Sequence, residues 1–214
     1  PGEKVNKFTG AVVDELESII DSLHDNKEIK VLIIESSKKN IFIAGADIKE
    51  IVAIEKQSLA EKLAKRGQDV FNTLEALPFP TVAVIDGACL GGGTEFALAC
   101  TFRVATDSPK TLIGLPEVNL GILPGWGGTQ RLPRLIGLTK SLPLILSGKP
   151  LDAQKAFKLN VVDALIPSEF KEERVHSFVA VLGNENERNR ILQKRKDKGL
   201  MEILFEKNPL GRTF

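Results

Sequence analysis

The chain has 214 residues, 43% apolar and 27% charged, a composition that excludes disordered, collagen-like and coiled-coil readings and fits one globular domain, or one plus an appendage. Twenty-nine Lys and Arg against 28 Asp and Glu leave a net charge of +1, so no global field draws the chain to nucleic acid or an anionic membrane surface. Cys89 and Cys100 make neither a disulfide framework nor a CxxC pair, and His24 and His176 lack the HExxH spacing, so no metal site is expected. The longest apolar runs, such as 81–85, fall far short of the roughly 18 residues that span a bilayer.

In chain order, residues 9–24 read as a helix capped by Thr9, with Val12, Val13, Leu16, Ile19, Ile20 and Leu23 at helical spacing. The apolar run 31–35 predicts a strand covered on both faces. A polar turn at 36–40 leads to Ile41-Phe42-Ile43 and the small-residue stretch Ala44-Gly45-Ala46-Asp47. Leu59, Leu63, Val70, Phe71 and Leu74 predict a helix over 57–76, ended by Leu77-Pro78-Phe79-Pro80. Residues 81–86 read as a second buried strand, 87–93 as a glycine-rich turn, 94–100 as a short apolar helix and 102–105 as a third strand. Helices are predicted at 125–136 and 139–147, the second weakened by Pro143, and another runs from an Asp152 cap through Leu159. Asn160 is placed as a left-handed terminator before a strand at Val161-Val162-Asp163. Alternating strands and helices argue for an α/β architecture. Beyond about residue 168 the chain changes character: 194–198 is a charge run expected on a solvated helix face, and 208–211 reads as a turn.

The chemistry is narrowed first by absences. There is no P-loop, no GxSxG elbow, and Phe96 and Gln130 break any GxGxxG reading of the glycine clusters. What remains is glycines with two carboxylates. The strand at 81–86 runs through Gly87-Ala88-Cys89-Leu90-Gly91-Gly92-Gly93 into a helix, where backbone N–H groups and the dipole can hold an oxyanion or a phosphate. The Ala44–Asp47 turn offers a second N–H. Glu95 and Glu117 both lie in apolar surroundings, which raise a carboxyl's pKa toward neutrality and suit acid–base work. Against this stand plainer readings: glycines as packing devices, Glu95 as a dipole partner, Glu117 as an exposed loop carboxylate. These arguments leave acyl, enolate and phosphate ligands open.

Three motifs in order narrow the choice: Ala44-Gly45-Ala46-Asp47-Ile48-Lys49-Glu50, the Gly87–Glu95 segment, and the long stretch from Gly114-Leu115-Pro116-Glu117 to Gly125-Trp126-Gly127-Gly128-Thr129-Gln130-Arg131-Leu132. With residues 146–153 and 160–163 they resemble the crotonase superfamily of enoyl-CoA hydratases and isomerases, over roughly residues 1–167. Within it, residues 87–93 and 106–111 are most similar to the N-terminal hydratase part of multifunctional fatty-acid oxidation α-subunits. The resemblance implies an α/β fold, a spiral of ββα units over 1–167 with a helical C-terminal region over 168–214. On that resemblance the opening strand is expected to be missing and the helical segment truncated; the start at Pro1 also reads as a trimmed chain.

The implied reaction adds water across the 2,3-double bond of an enoyl-CoA. Ala46 and Gly92 align with the backbone N–H donors that polarise the thioester carbonyl, and Glu95 and Glu117 with the two catalytic glutamates. Glu117 is assigned the C2 proton, and Glu95 the water-orienting and base role. Ala44, Asp47 and Ile48 fall on the CoA path, and Gly125 on the wall of the acyl pocket. Trp126 is larger than expected there, a packing residue or a stop that shortens the acyl tunnel. No cofactor is implied, because CoA is part of the substrate, and no metal. The implied partners are an acyl-CoA thioester, a fused dehydrogenase domain, a thiolase subunit and further copies of the chain; the setting is the cytoplasm of a bacterium or the mitochondrial matrix of a eukaryote. The alternatives are a 3-enoyl-CoA to 2-enoyl-CoA isomerase, which needs one carboxylate, and a non-catalytic or RNA-binding member of the fold.

Overall fold

A computed structural model describes residues 4–194. Helix α1 (Gly10–His24) starts where Thr9, in extended conformation, accepts the Val12 N–H on its side chain, a cap that contributes about 1 kcal/mol. Val13 and Ile20 face the core; Val12 and Ile19 lie on the outer side of the apolar stripe and stay exposed. Strands β1 (Leu32–Glu35) and β2 (Ile41–Ile43) follow, then a short α2 (Ile48–Val52) and the long α3 (Gln57–Glu75). Next come β3 (Thr81–Ile85), β4 (Ala88–Leu90), α4 (Gly92–Ala99), β5 (Phe102–Thr106) and β6 (Leu112–Gly114). A 3-10 turn at Pro116–Leu120 leads to α5 (Gly128–Ile136), α6 (Leu138–Ser147), β7 (Leu151–Asp152), α7 (Ala153–Lys158) and β8 (Ala164–Ile166). A second 3-10 turn, α8 (Lys171–Leu182) and α9 (Glu185–Lys194) complete the described elements.

From β1 to β6, strands consecutive in the chain go to different sheets. One sheet has the order β1-β3-β5-β8, parallel throughout; the other has β2-β4-β6-β7, parallel except for the antiparallel β6–β7 pair. Each short turn between two such strands steps from one sheet to the other, and helices carry the chain back, which makes the expected ββα spiral. The β3–β4 turn depends on Gly87: its φ is +102°, and a Cβ there would run into the Asn40 backbone.

Alternate residues of β3 and β5 feed two cores. Ala83, Ile85 and Ala105 face the large cluster with Phe42, Phe71 and Phe96, while Val82, Val84, Phe102 and Val104 face a smaller one closed by Val175 and Leu182 of α8. β1 departs from its predicted burial. It lies at an edge of its sheet, Ile33 is 39% exposed, and only alternate residues pack inward, while its last residue, Glu35, pairs with Lys171 of α8. The strand predicted at 161–163 is displaced to 164–166. Val161 N–H is bonded to Ala156 O, Val161 O accepts from Arg103 Nε (2.9 Å), and Asp163 exchanges bonds with the Arg103 backbone, so pairing begins only at Val104–Ala164. Asn160 is left-handed as predicted, with φ +61°. The helix predicted from 125 begins at Gly128, and the one predicted from 94 begins two residues earlier, at Gly92. Pro143 is accommodated inside α6. The charge run beyond Lys194 and the 208–211 turn lie outside the described residues.

Candidate active site

Strands β2, β4 and β6 are neighbours and run parallel, with Ile41 against Ala88 and Cys89 against Ile113, so their carboxyl ends emerge side by side. That is where ligands bind in open parallel sheets. The β2 end carries Ala44–Asp47, the β4 end runs through Gly91 into α4 with Glu95, and the β6 end leads through Leu115 and Pro116 to Glu117. Thr94 ties the last two ends together: its hydroxyl lies 2.6 Å from Cys89 O and 2.8 Å from Gly114 O.

Two backbone donors are left over by this arrangement. Phe8 donates to Gly45 O (2.9 Å) and accepts from Asp47 N–H (2.8 Å), so it brackets Ala46, whose own N–H points to the opposite side. Gly92 is the first helical residue of α4, a position whose N–H has no intrahelical acceptor. Among the described residues neither N–H has a partner. The two loops touch: a Cβ on Gly45 would stand 3.2 Å from Leu90 O, and one on Gly91, where φ is +53°, would stand 3.7 Å from Gly45 Cα and 3.1 Å from Glu117 Oε1. Only glycines allow this approach.

The two carboxylates sit in different environments. Glu95 is 2% exposed, and its Oε1 accepts N–H bonds from Trp126 and Gly128, both 2.8 Å. Gly128 opens α5, so the carboxylate also rests at a helix N-terminus. Burial pushes the Glu95 carboxyl above its ordinary range, opposed by the Gly128 and Trp126 N–H groups and by the charge of Arg131. Glu117 is 8% exposed, its Oε2 is buried, and no described residue bonds to that oxygen. Burial first, and then repulsion from Glu95, raise it from 4.5 to about 7. The exposed-loop reading of Glu117 is thereby corrected: the 3-10 turn folds it inward.

The other predicted positions surround this centre without joining it. Ala44 and Ile48 are exposed beside the Ala46 turn. The Asp47 carboxylate is occupied in capping α2 through Lys49 N–H (2.8 Å) and in pairing with Lys7 (2.6 Å), contacts that hold it below the ordinary carboxyl range. Gly125 is exposed, and its carbonyl accepts from Gln68 Nε2 (2.8 Å). Trp126 packs edge-on against Phe8 and Phe71 and lies against Gly92, whose Cβ would stand 3.0 Å from the indole Cζ3. Sequence reading missed that the amides of Trp126 and Gly128 hold Glu95; the signal was the pair Gly127-Gly128 just before a helix. Among the described residues no group of three or more His, Cys, Asp and Glu is placed to hold a metal ion, and no helix is long and apolar enough to cross a membrane.

The chain is similar to known proteins in both sequence and fold. The chain is 50% identical over its whole length to the fatty acid oxidation complex subunit alpha of Vibrio campbellii and 49% identical to that of Vibrio vulnificus, and it spans 29% of the length of each. Among solved structures, an enoyl-CoA hydratase from Geobacillus kaustophilus superposes with a TM-score of 0.81 at 30% identity, covering 97% of this chain and 76% of that one. An enoyl-CoA hydratase from Bacillus anthracis gives 0.78 at 28% identity, covering 97% and 86%. The family model described as enoyl-CoA hydratase/isomerase matches residues 2–203, a span that includes the three strand ends and both glutamates, and the chain belongs to that family.

Proposed function

We propose that the chain is a 2-enoyl-CoA hydratase of fatty-acid β-oxidation. One observation carries the reading: three parallel strand ends bring two unpaired backbone donors, Ala46 and Gly92, next to two buried carboxylates of unlike character, Glu95 and Glu117. The thioester oxygen takes both N–H groups, and the α4 dipole adds to the stabilisation of enolate charge there. Glu95, its ionised form held by two N–H groups, orients a water and takes its proton as the oxygen bonds to C3. Glu117, raised to about 7, is half protonated near neutrality and delivers its proton to C2. The resting pair returns when the proton on Glu95 passes back to Glu117.

No cofactor takes part, since acid–base groups and the oxyanion donors suffice and CoA belongs to the substrate. Ala44 and Ile48, exposed beside Ala46, suit the CoA side, and Gly125 beside Trp126 suits the acyl side. The greater length of the Vibrio relatives supports a place for this module in a longer subunit with a fused dehydrogenase domain, and their bacterial origin favours the cytoplasm over the mitochondrial matrix. The test is loss of the enoyl-thioester absorbance on mixing with crotonyl-CoA and with a longer 2-enoyl-CoA. No loss with either substrate would overturn the hydratase reading, and conversion of a 3-enoyl-CoA without hydration would make the chain an isomerase.

A further inference from the structure

Arg131 is a buried cation close to the site, 7% exposed, and it touches neither carboxylate. Every arm of its guanidinium is committed. Nε donates to Glu75 Oε2 (2.9 Å) and Nη2 to Asn72 Oδ1 (2.6 Å), both on α3; Nη1 donates to Trp126 O (3.0 Å). The Trp126 residue therefore has its carbonyl on Arg131 and its N–H on Glu95 Oε1. The next residue, Gly127, has φ +110°, and a Cβ there would run into Arg131 Nη1, so the backbone turns tightly around the guanidinium before Gly128 presents its N–H to the same oxygen. α3, α5 and the Glu95 cradle are thus joined through one side chain.

We propose that Arg131 is a positioning residue for the reaction: by holding the Trp126 carbonyl against α3, it keeps the Trp126 and Gly128 N–H groups aimed at Glu95 Oε1, so that the carboxylate stays correctly turned toward the water. This rests on the hydratase reading of Glu95. A planar fork suits the task better than an ammonium, because three acceptors in three directions must be met at once. The charged neighbours of Glu95 are few. Glu117, on the 3-10 turn, is itself raised by the charge of Glu95; Arg131 favours the ionised form of Glu95 from α5. From α3, Glu75 is taken by Arg131, Arg66 by Asp14 and Glu17, and Lys65 by Asp69. β2 carries no titratable group, and β4 only Cys89, whose thiol burial pushes up to about 12. Among the described residues, Arg131 is therefore the cation that bears on Glu95.

The test compares Arg131→Gln, Arg131→Lys and the milder Asn72→Ala with the parent chain. Expected for Arg131→Gln is a fall in kcat of about tenfold to a hundredfold, the scale of a misplaced catalytic group, with KM changed much less. The acid limb of its pH–kcat profile should move to higher pH, because Glu95 has lost a cation that favours its charged form. Lys should restore the limb but only part of kcat, and Asn72→Ala should lower kcat more mildly. Amide hydrogen exchange by NMR gives a readout independent of turnover: the Trp126 and Gly128 N–H groups should exchange at least about tenfold faster in Arg131→Gln. A folded Arg131→Gln with parental kcat, acid limb and amide protection would overturn the proposal. So would a fall in thermal stability and kcat with the limb and the two amides unchanged, which would make Arg131 a packing residue. A parent chain inactive on enoyl-CoA refutes the hydratase reading instead, and the amide exchange then still decides whether Arg131 aims the cradle.

Discussion

Replacing Glu117 by Gln should abolish hydration and yet make the protein more stable above neutral pH. The carboxyl is buried, Oε2 has no partner among the described residues, and Glu95 repels its charge, so the fold favours the neutral form and raises it from 4.5 to about 7. The linkage follows in sign. Below pH 4.5 the group is protonated whether folded or unfolded, and it contributes no pH dependence. Between 4.5 and about 7 the unfolded chain releases the proton while the folded chain keeps it, so stability falls as pH rises. Above 7 the penalty is constant, and the gap between 4.5 and about 7 sets it at no more than about 3 kcal/mol. A glutamine of the same shape never ionises and escapes this penalty, although its amide must still find partners. The assay is urea denaturation of both proteins from pH 4.5 to 8.5, with hydration of crotonyl-CoA measured alongside. The parent should lose stability relative to Glu117→Gln across that window, while the variant loses about two to four orders of magnitude in rate. Equal slopes of stability with pH, or a variant that still hydrates at near-parental rate, would refute the account of Glu117 as a buried proton carrier.

Glu95→Gln keeps the shape but cannot accept a proton, so hydration should fall by about two to four orders of magnitude. Isomerisation of a 3-enoyl-CoA, which needs only Glu117, should be spared relative to it; equal losses in the two assays would refute this division of roles. Gly92→Pro removes one thioester donor at a first-turn position where helices tolerate proline, and should cost about a hundred- to a thousandfold in kcat with the circular dichroism spectrum intact. Gly92→Ala is its control, since it keeps the N–H and only brings a methyl group to 3.0 Å from Trp126 Cζ3; a loss equal to that of proline would place the effect in packing rather than in the donor.

Local order was legible wherever a residue's fate depends on its near neighbours. The Thr9 cap, the inward face of α1, the proline stop after α3, the fully buried β3 and the left-handed Asn160 all follow from patterns a few residues long. The three-residue strands β4 and β6 were not legible, because so short a run shows no period, and α2 was missed for the same reason. β1, like β3, is mostly apolar, yet Ile33 is exposed because position within the sheet, not composition, decides whether a second layer covers a strand.

The same division runs through the site. Glycines at 45 and 91–92 and carboxylates at 95 and 117 are visible in the chain as residue types that can donate N–H bonds and exchange protons, and the three motifs placed them in a family. Their convergence depends on the parallel registers of β2, β4 and β6, which only the assembled sheet sets. The difference between the two carboxylates is likewise tertiary. Glu95 is held by amides from a loop more than thirty positions away, while Glu117 Oε2 is buried with no partner among the described residues. A carboxyl's pKa follows desolvation and neighbouring charge, both properties of what surrounds it in space, so the sequence supplied the acids and the fold set the surroundings that raise them.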